Sequence, residues 1–334
     1  MLADDRVFAR RVIIAISLAA LFAILFYTAD LLLMAFAGVL GAVLVDAAAR
    51  WIGGRLHTGR RVSYSIVLAC AALLVAGALW FAVPRMIVQI NQLTDVLPQA
   101  LANARAYLDQ FAWGKVITSR VGDVNLSLIA GQITAIIKAL VGIGVAVTVM
   151  IVLTAYLGED PGYYRRGVLS LLPVGWRQNT DRVFHELAET LRWWLIGQSI
   201  PMAVLGVVTL IALLLLHIPL AFTLSIFTGA MIFIPFAGAV IAYIATAIVT
   251  ISVDPSKLLL VTILFLGVHI LEGYVLTPLV QKRAVYLPPA VTIIAEVLMS
   301  TLFGFLGLIL ATPIAAAVRV VVKRLYVDRM AATH

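Results

Sequence analysis

Residues 193–253 read WWLIGQSIPMAVLGVVTLIALLLLHIPLAFTLSIFTGAMIFIPFAGAVIAYIATAIVTISV, without one Asp, Glu, Lys or Arg. One membrane crossing takes about 20 apolar residues, so this run is too long for a single span. No soluble domain could hide it from water. In lipid every backbone N–H and C=O must be paired within the chain, so the run must fold as helices. Trp193–Leu216 is one spanning helix. Pro219–Val253 is a second apolar unit, interrupted at its centre by Ile234, Pro235, Phe236, Ala237 and Gly238. Proline removes a backbone donor and glycine loosens a helix, so the interruption predicts a break.

The same character extends over the chain. Its 334 residues are 63% hydrophobic and 12% charged, against about 25% charged in soluble domains. Mean hydropathy is +1.09. Val12–Val45 holds a single charge, Asp30, and reads as two crossings that turn near Thr28–Asp30. This run is too long for a signal-peptide core, so no cleavable signal is expected. Val62–Val83 and Lys138–Leu157 are further spans, and Leu258–Thr277 is another, carrying Glu272. Val285–Val318 is a last apolar unit, broken by Gly304, Gly307 and Pro313. The spacing of Met86, Ile90, Leu93, Leu97, Leu101, Ala104 and Leu108 predicts an amphipathic helix outside the membrane, interrupted at Pro98. Val183, Leu187, Leu191 and Trp194 predict a second one leading into the fifth span, with Trp193 and Trp194 at the interface. The organisation expected is therefore N-terminal membrane helices over 1–84, an extracytoplasmic helical region over 85–138 and a membrane helix over 139–157. A cytoplasmic loop over 158–192, a transport core over 193–322 and a cytoplasmic tail over 323–334 follow.

Charge gives this arrangement a direction. Lys and Arg number three in residues 1–11, four in 50–61, five in 158–192 and four in 319–334. The longer 85–138 dilutes its five. The positive-inside rule puts the first four segments, both termini included, in the cytoplasm and 85–138 outside. The formal charge of +8 is thus an orientation signal and a contact to anionic lipid, with no call for nucleic acid. At 1.5 Å per residue Pro219–Val253 extends to roughly 52 Å, short of two crossings of a ~30 Å core. A hairpin that enters from outside and returns there fits, and Val285–Val318 fits one from the inside. The expected fold is an all-α polytopic membrane protein with six spanning helices and two broken or re-entrant hairpins, about eight membrane segments. Span plus hairpin, twice and in opposite senses, is the pattern of an inverted repeat, whose paired breaks point to a transport site. Two ordinary short helices joined by a turn give the same parity.

Ionisable groups inside the membrane are costly and mark ion or proton pathways. Glu272 within its span and Glu296 within the last hairpin are the candidates, each able to hold a cation or proton or to pair with a base such as Arg283. His269 lies three residues before Glu272, on the same helix face, and a His–Glu pair relays protons or simply makes a structural hydrogen bond. Gln198 and Ser199 are weaker candidates, and Asp30 and Asp46 fall at span ends. Pro235, Gly238, Pro278, Gly304, Gly307 and Pro313 mark helix breaks along a solute path or hinge; small-residue packing between helices is the other use of such positions. His185-Glu186 lacks a second His, and there is neither a phosphate-binding Gly-rich loop nor a Gly-x-Ser-x-Gly. The single Cys70 excludes an internal disulfide and a cysteine metal cluster. No enzyme, ATPase, metal or cofactor is expected.

These residues form a familiar series. Trp194-Leu195-Ile196-Gly197-Gln198 opens the fifth span; Ile234-Pro235-Phe236-Ala237-Gly238 follows; Glu272 precedes Pro278; Leu302 to Gly307 lead to Ala311-Thr312-Pro313. With Val83-Pro84 and Leu171-Leu172-Pro173, the chain resembles the autoinducer-2 exporter (AI-2E) family of bacterial transporters over nearly its whole length. The resemblance implies a multi-pass protein of the bacterial inner membrane, export of a small solute or sodium–proton antiport, and homo-oligomers, pentamers among them. Glu296 departs from the small or apolar residue expected there. The leading expectation is a secondary exporter of an autoinducer-2-like solute driven by a proton or sodium gradient. A sodium (lithium)/proton antiporter, a non-transporting scaffold and a channel are the alternatives.

Overall fold

The computed structural model describes residues 27–77, 146–276 and 287–327, with a few positions on their flanks. The expected helix within 85–138, Val83-Pro84, Pro278 and Arg283 lie outside the described residues. Every regular element among the described residues is helical. Helix α1 is Ala29–Leu56, α2 Arg60–Gly77, α3 Ala146–Glu159, α4 Pro161–Ser170 and α5 Val174–Leu215. Helices α6, Ala221–Met231, and α7, Ala237–Val253, follow. A short turn at Pro255–Lys257 leads into α8, Leu258–Ile270, which continues as a π-helical turn over Leu271–Leu276. Helix α9 is Pro289–Val322. By length and apolar character five stretches can cross a membrane: Ala29–Leu56, Arg60–Gly77, Val174–Leu215, Pro255–Leu276 and Pro289–Leu325. The protein is thus an all-helical, multi-pass membrane protein.

Two expectations change at the level of elements. The chain makes no loop at Thr28–Asp30. Thr28 N–H donates to Ile24 O and Leu32 N–H to Thr28 O, so helical hydrogen bonds flank Thr28 on both sides. Thr28 itself departs from helical geometry (φ −98°, ψ 8°), and its hydroxyl donates to Ile24 O at 2.7 Å. A hydroxyl bonded back to the previous turn bends a helix, so the site is a bend. The second change concerns α5. Amphipathic helix and apolar span are one element of 42 residues, about 63 Å long, with no interruption at residues 192 and 193.

Helix α5 is the axis of the fold. Leu33, Ala37 and Leu40 of α1, Leu191, Trp194 and Leu195 of α5 and Leu310 of α9 form one buried cluster. Leu213 at the far end of α5 and Ile218 just past it pack with Ala221 and Leu224 of α6, Ala242 of α7 and Val261 and Phe265 of α8. Where helices approach closely, small residues stand at the contact, as membrane packing requires. A Cβ on Gly38 of α1 would meet Leu153 of α3 at 2.6 Å. The Thr154 hydroxyl donates to Gly38 O, and buried Tyr64 of α2 donates to Thr154 O at 2.7 Å. These contacts bind α1, α2 and α3 into one group.

Polar residues collect at one end. Asp46, expected at a span end, lies inside α1 and accepts from Arg50 and Arg60. Arg60 also donates to the terminal carbonyls of α3 at Gly158 and Glu159. Helix α4 begins on Asp160, whose carboxylate accepts from Tyr163 N–H at 3.0 Å, with Pro161 next in line. Arg165 of α4 reaches Asp181 and His185 of α5, and Glu186 accepts from Arg324 just past α9. The basic segments 50–61, 158–192 and 319–334, grouped by charge counting, thus touch one another in sequence.

Candidate functional site

The two broken apolar units are where helix stops short of spanning. Helix α6 has 11 residues and α7 has 17, about 16 Å and 25 Å, each below the ~30 Å of a hydrocarbon core. Between them, 232–236 form a tight reversal. Phe233 N–H donates to Ala230 O and Ile234 N–H to Met231 O. Ala237 N–H donates across one residue to Pro235 O at 2.7 Å, with Phe236 at φ 60°, ψ −57°. Gly238 permits the return, because a Cβ there would run into Met231 O.

The second unit repeats the device. Gly304 takes φ 60°, ψ −145°, a conformation open essentially to glycine, and divides α9 into arms 289–303 and 305–322. Eight residues of straight helix would hold Met299 and Gly307 about 12 Å apart. Instead a Cβ on Gly307 would run into Met299 O and lie 2.8 Å from Phe303 Cβ. The chain therefore doubles back at Gly304, and the long apolar stretch Pro289–Leu325 is two arms.

Both tips pack on the same buried cluster. Phe233, from the first, stacks edge-on against Trp194 with ring centroids 5.3 Å apart. Met299, Phe303 and Leu306, around the second, pack on the same Trp194–Leu310 cluster. Gln198, one turn beyond Trp194, donates to Ile232 O at 2.5 Å. Gln198 is six residues past Arg192, the last charge before the apolar run, so the first tip lies about 9 Å deeper than that charge.

Two buried carboxylates lie in the neighbouring elements, Glu272 after α8 and Glu296 in the first arm of α9. Glu272 sits in the π-helical turn after α8, a geometry often found at functional sites. It is 7% exposed and Glu296 is 5% exposed. Oε2 of Glu272 and Oε1 of Glu296 are buried with no hydrogen-bond partner among the described residues. The two groups are near enough for their charges to act on one another. His269 Nδ1 stands 4.0 Å from Glu272 Oε2, beyond hydrogen-bond distance, and its side chain is half-exposed. Among the described residues no Lys or Arg pairs with either glutamate. Pro313 is buried inside the second arm, beside Thr312, whose hydroxyl is buried without a partner among the described residues.

Comparison with known proteins places this arrangement. Residues 14–326 match the family described as AI-2E family transporter. The chain belongs to the AI-2E transporter family. Among its relatives, "Putative transport protein YrrI" of Bacillus subtilis (strain 168) is 24% identical over 260 residues, 74% of this chain and 73% of its own. A protein of the same description from Synechocystis sp. is 24% identical over 301 residues, 83% of each chain. YdbI of Bacillus subtilis, described likewise, is 26% identical over 266 residues, 76% of this chain and 73% of its own. This AI-2E chain is accordingly a membrane transport protein by family.

Sequence reasoning brought Gln198, Pro235, Gly238, Gly304 and Gly307 to attention; the structure puts Pro235 and Gly238 in the first reversal, to which Gln198 bonds, and Gly304 and Gly307 in the second. It did not find that Met231 and Met299 supply the carbonyls against which Gly238 and Gly307 close. It also passed over Pro201, buried in α5 one turn after Gly197, whose ring removes the donor that Gly197 O would otherwise receive. A proline inside an unbroken apolar run was the available signal.

Proposed function

We propose that the protein is a secondary transporter in which two opposed re-entrant hairpins frame the solute path and Glu272, with Glu296 beside it, binds the coupling ion. The observation that carries this reading is the pair of buried carboxylates, each with an oxygen left without a partner among the described residues, in a bundle whose two hairpin tips pack on one cluster. A buried charge without a fixed counter-charge is expensive, so such a pair is retained where a proton or metal cation comes and goes. The hairpins favour transport over scaffolding, since broken helices with free backbone groups hold ions and solutes in transporters built from inverted repeats. Family membership supports export of a small solute, with autoinducer-2 as the first candidate.

The carboxylate pair also favours a second reading, in which sodium or lithium is itself the cargo exchanged for protons. One experiment separates them. The purified protein is reconstituted into liposomes with an interior pH dye. Sodium- or lithium-driven collapse of a pH gradient, without solute, marks an antiporter. Collapse that requires autoinducer-2 on one side marks the coupled exporter. Protein-containing liposomes that behave as empty ones under every condition would defeat both.

A further inference from the structure

The first hairpin tip carries a bond pattern with one gap. Through the turn, hydrogen bonds run from each N–H to the carbonyl three residues back: Phe233 to Ala230 and Ile234 to Met231. The next bond in the series would join residue 235 to Ile232 O. Residue 235 is proline and has no N–H. Ile232, fully buried, is therefore left with a carbonyl that its own turn does not serve, in a setting where an unpaired backbone group is costly. Gln198 serves it, from another helix, at 2.5 Å. Four residues after Ile232, Phe236 is the centre of the positive-φ form of the γ-turn, a rare and strained geometry for a residue with a side chain.

We infer that Gln198 is a latch: its amide holds the first hairpin tip against α5 by supplying the donor that Pro235 lacks, and the tip moves when that bond breaks. Gln198 is a positioning residue and binds no coupling ion. The strain at Phe236 gives the tip a reason to leave, and the amide and the Trp194–Phe233 contact hold it in place. A tip with one broken series of bonds, held by one amide and one ring contact, is built to switch between a held and a released arrangement, as a gating element needs. The inference rests on the transport reading only for what the motion serves. Its test therefore measures motion and leaves flux aside.

The test uses Cys70→Ser protein carrying Phe236→Cys, reconstituted in phosphatidylethanolamine–phosphatidylglycerol vesicles, and the rate at which a small methanethiosulfonate reagent labels the new thiol. Gln198→Leu should raise that rate about tenfold, the factor that goes with losing one hydrogen bond from the held state. Adding Pro235→Ala to Gln198→Leu gives Ile232 O a donor within its own turn. That variant should recover the thermal stability lost in Gln198→Leu while its labelling stays fast. Labelling that returns to the starting rate together with stability would mean that Gln198 only satisfies a carbonyl, and would overturn the latch. If Gln198→Leu does not fold, Gln198→Asn keeps the amide but falls one methylene short, and must also speed labelling. An unchanged rate there would overturn the latch equally, whatever the vesicles transport.

Discussion

Substituting Gly307 by Ala tests the doubling back of the last apolar unit. The added methyl meets Met299 O and stands 2.8 Å from Phe303 Cβ and 2.9 Å from Met299 C. A backbone carbonyl cannot swing aside, so the two arms of α9 must part by at least half an ångström. Forcing a methyl into packing of this kind costs about 1–3 kcal/mol. Alanine also gains about 0.8–1.0 kcal/mol over glycine in helix propensity, which masks part of the cost. Gly267→Ala removes that ambiguity. Gly267 lies in α8 with nothing within 4 Å of its would-be Cβ, so it collects the propensity gain alone. The difference between the variants is then the packing term itself, about 1–3 kcal/mol against Gly307→Ala. Unfolding in mixed micelles of rising dodecyl sulfate fraction, followed by tryptophan fluorescence, reads it. Equal stability of the two variants within about 0.5 kcal/mol, the spread of ordinary surface changes, would refute the argument that the arms close on each other at Gly304.

Further consequences follow at the ends of the bundle. A double-mutant cycle of Glu186→Ala and Arg324→Ala should give a coupling of about 0.5 kcal/mol that falls with added salt, because both side chains are partly exposed. Asp254 caps the turn into α8, and the hydrogen bond from Ser256 holds its carboxyl below the usual range. A lowered folded-state value means that the cap stabilises above the unfolded-state pKa and is lost as pH falls through the folded one. Asp254→Asn should therefore speed amide exchange over residues 255–258 at neutral pH and make no difference in strong acid. Tyr64→Phe should cost about 1 kcal/mol by removing the buried bond to Thr154 O, read in the same micelle titration.

Much of this was legible in the sequence, for definite reasons. The uncharged run from Trp193 to Val253 admits only helices, and Pro235 with Gly238 located its break within a residue or two. Charge counting grouped segments 50–61, 158–192 and 319–334, and Arg60 and Arg324 join the outer two to 158–192 by side-chain bonds. Thr28 misled, because a charge at Asp30 signals a break in hydropathy and not a break in hydrogen bonding. The union of the amphipathic helix and the fifth span into α5 was also hidden, since two different periodicities meet there without any change in backbone. Glu272 and Glu296 stood out by cost alone. Their nearness to one another is tertiary: it depends on how the first arm of α9 returns toward the turn after α8, and the 23 residues of sequence between them carry no sign of it.

The claim at the centre of the account is that Glu272 couples an ion to movement of a solute. The direct measurement is ion-driven flux in proteoliposomes holding the wild-type chain, Glu272→Gln or Glu296→Gln, each first shown to unfold at the same dodecyl sulfate fraction. The account predicts flux in the wild type, none with Glu272→Gln, and flux with altered pH dependence with Glu296→Gln. A Glu272→Gln protein that is folded and carries flux at the wild-type rate would contradict it.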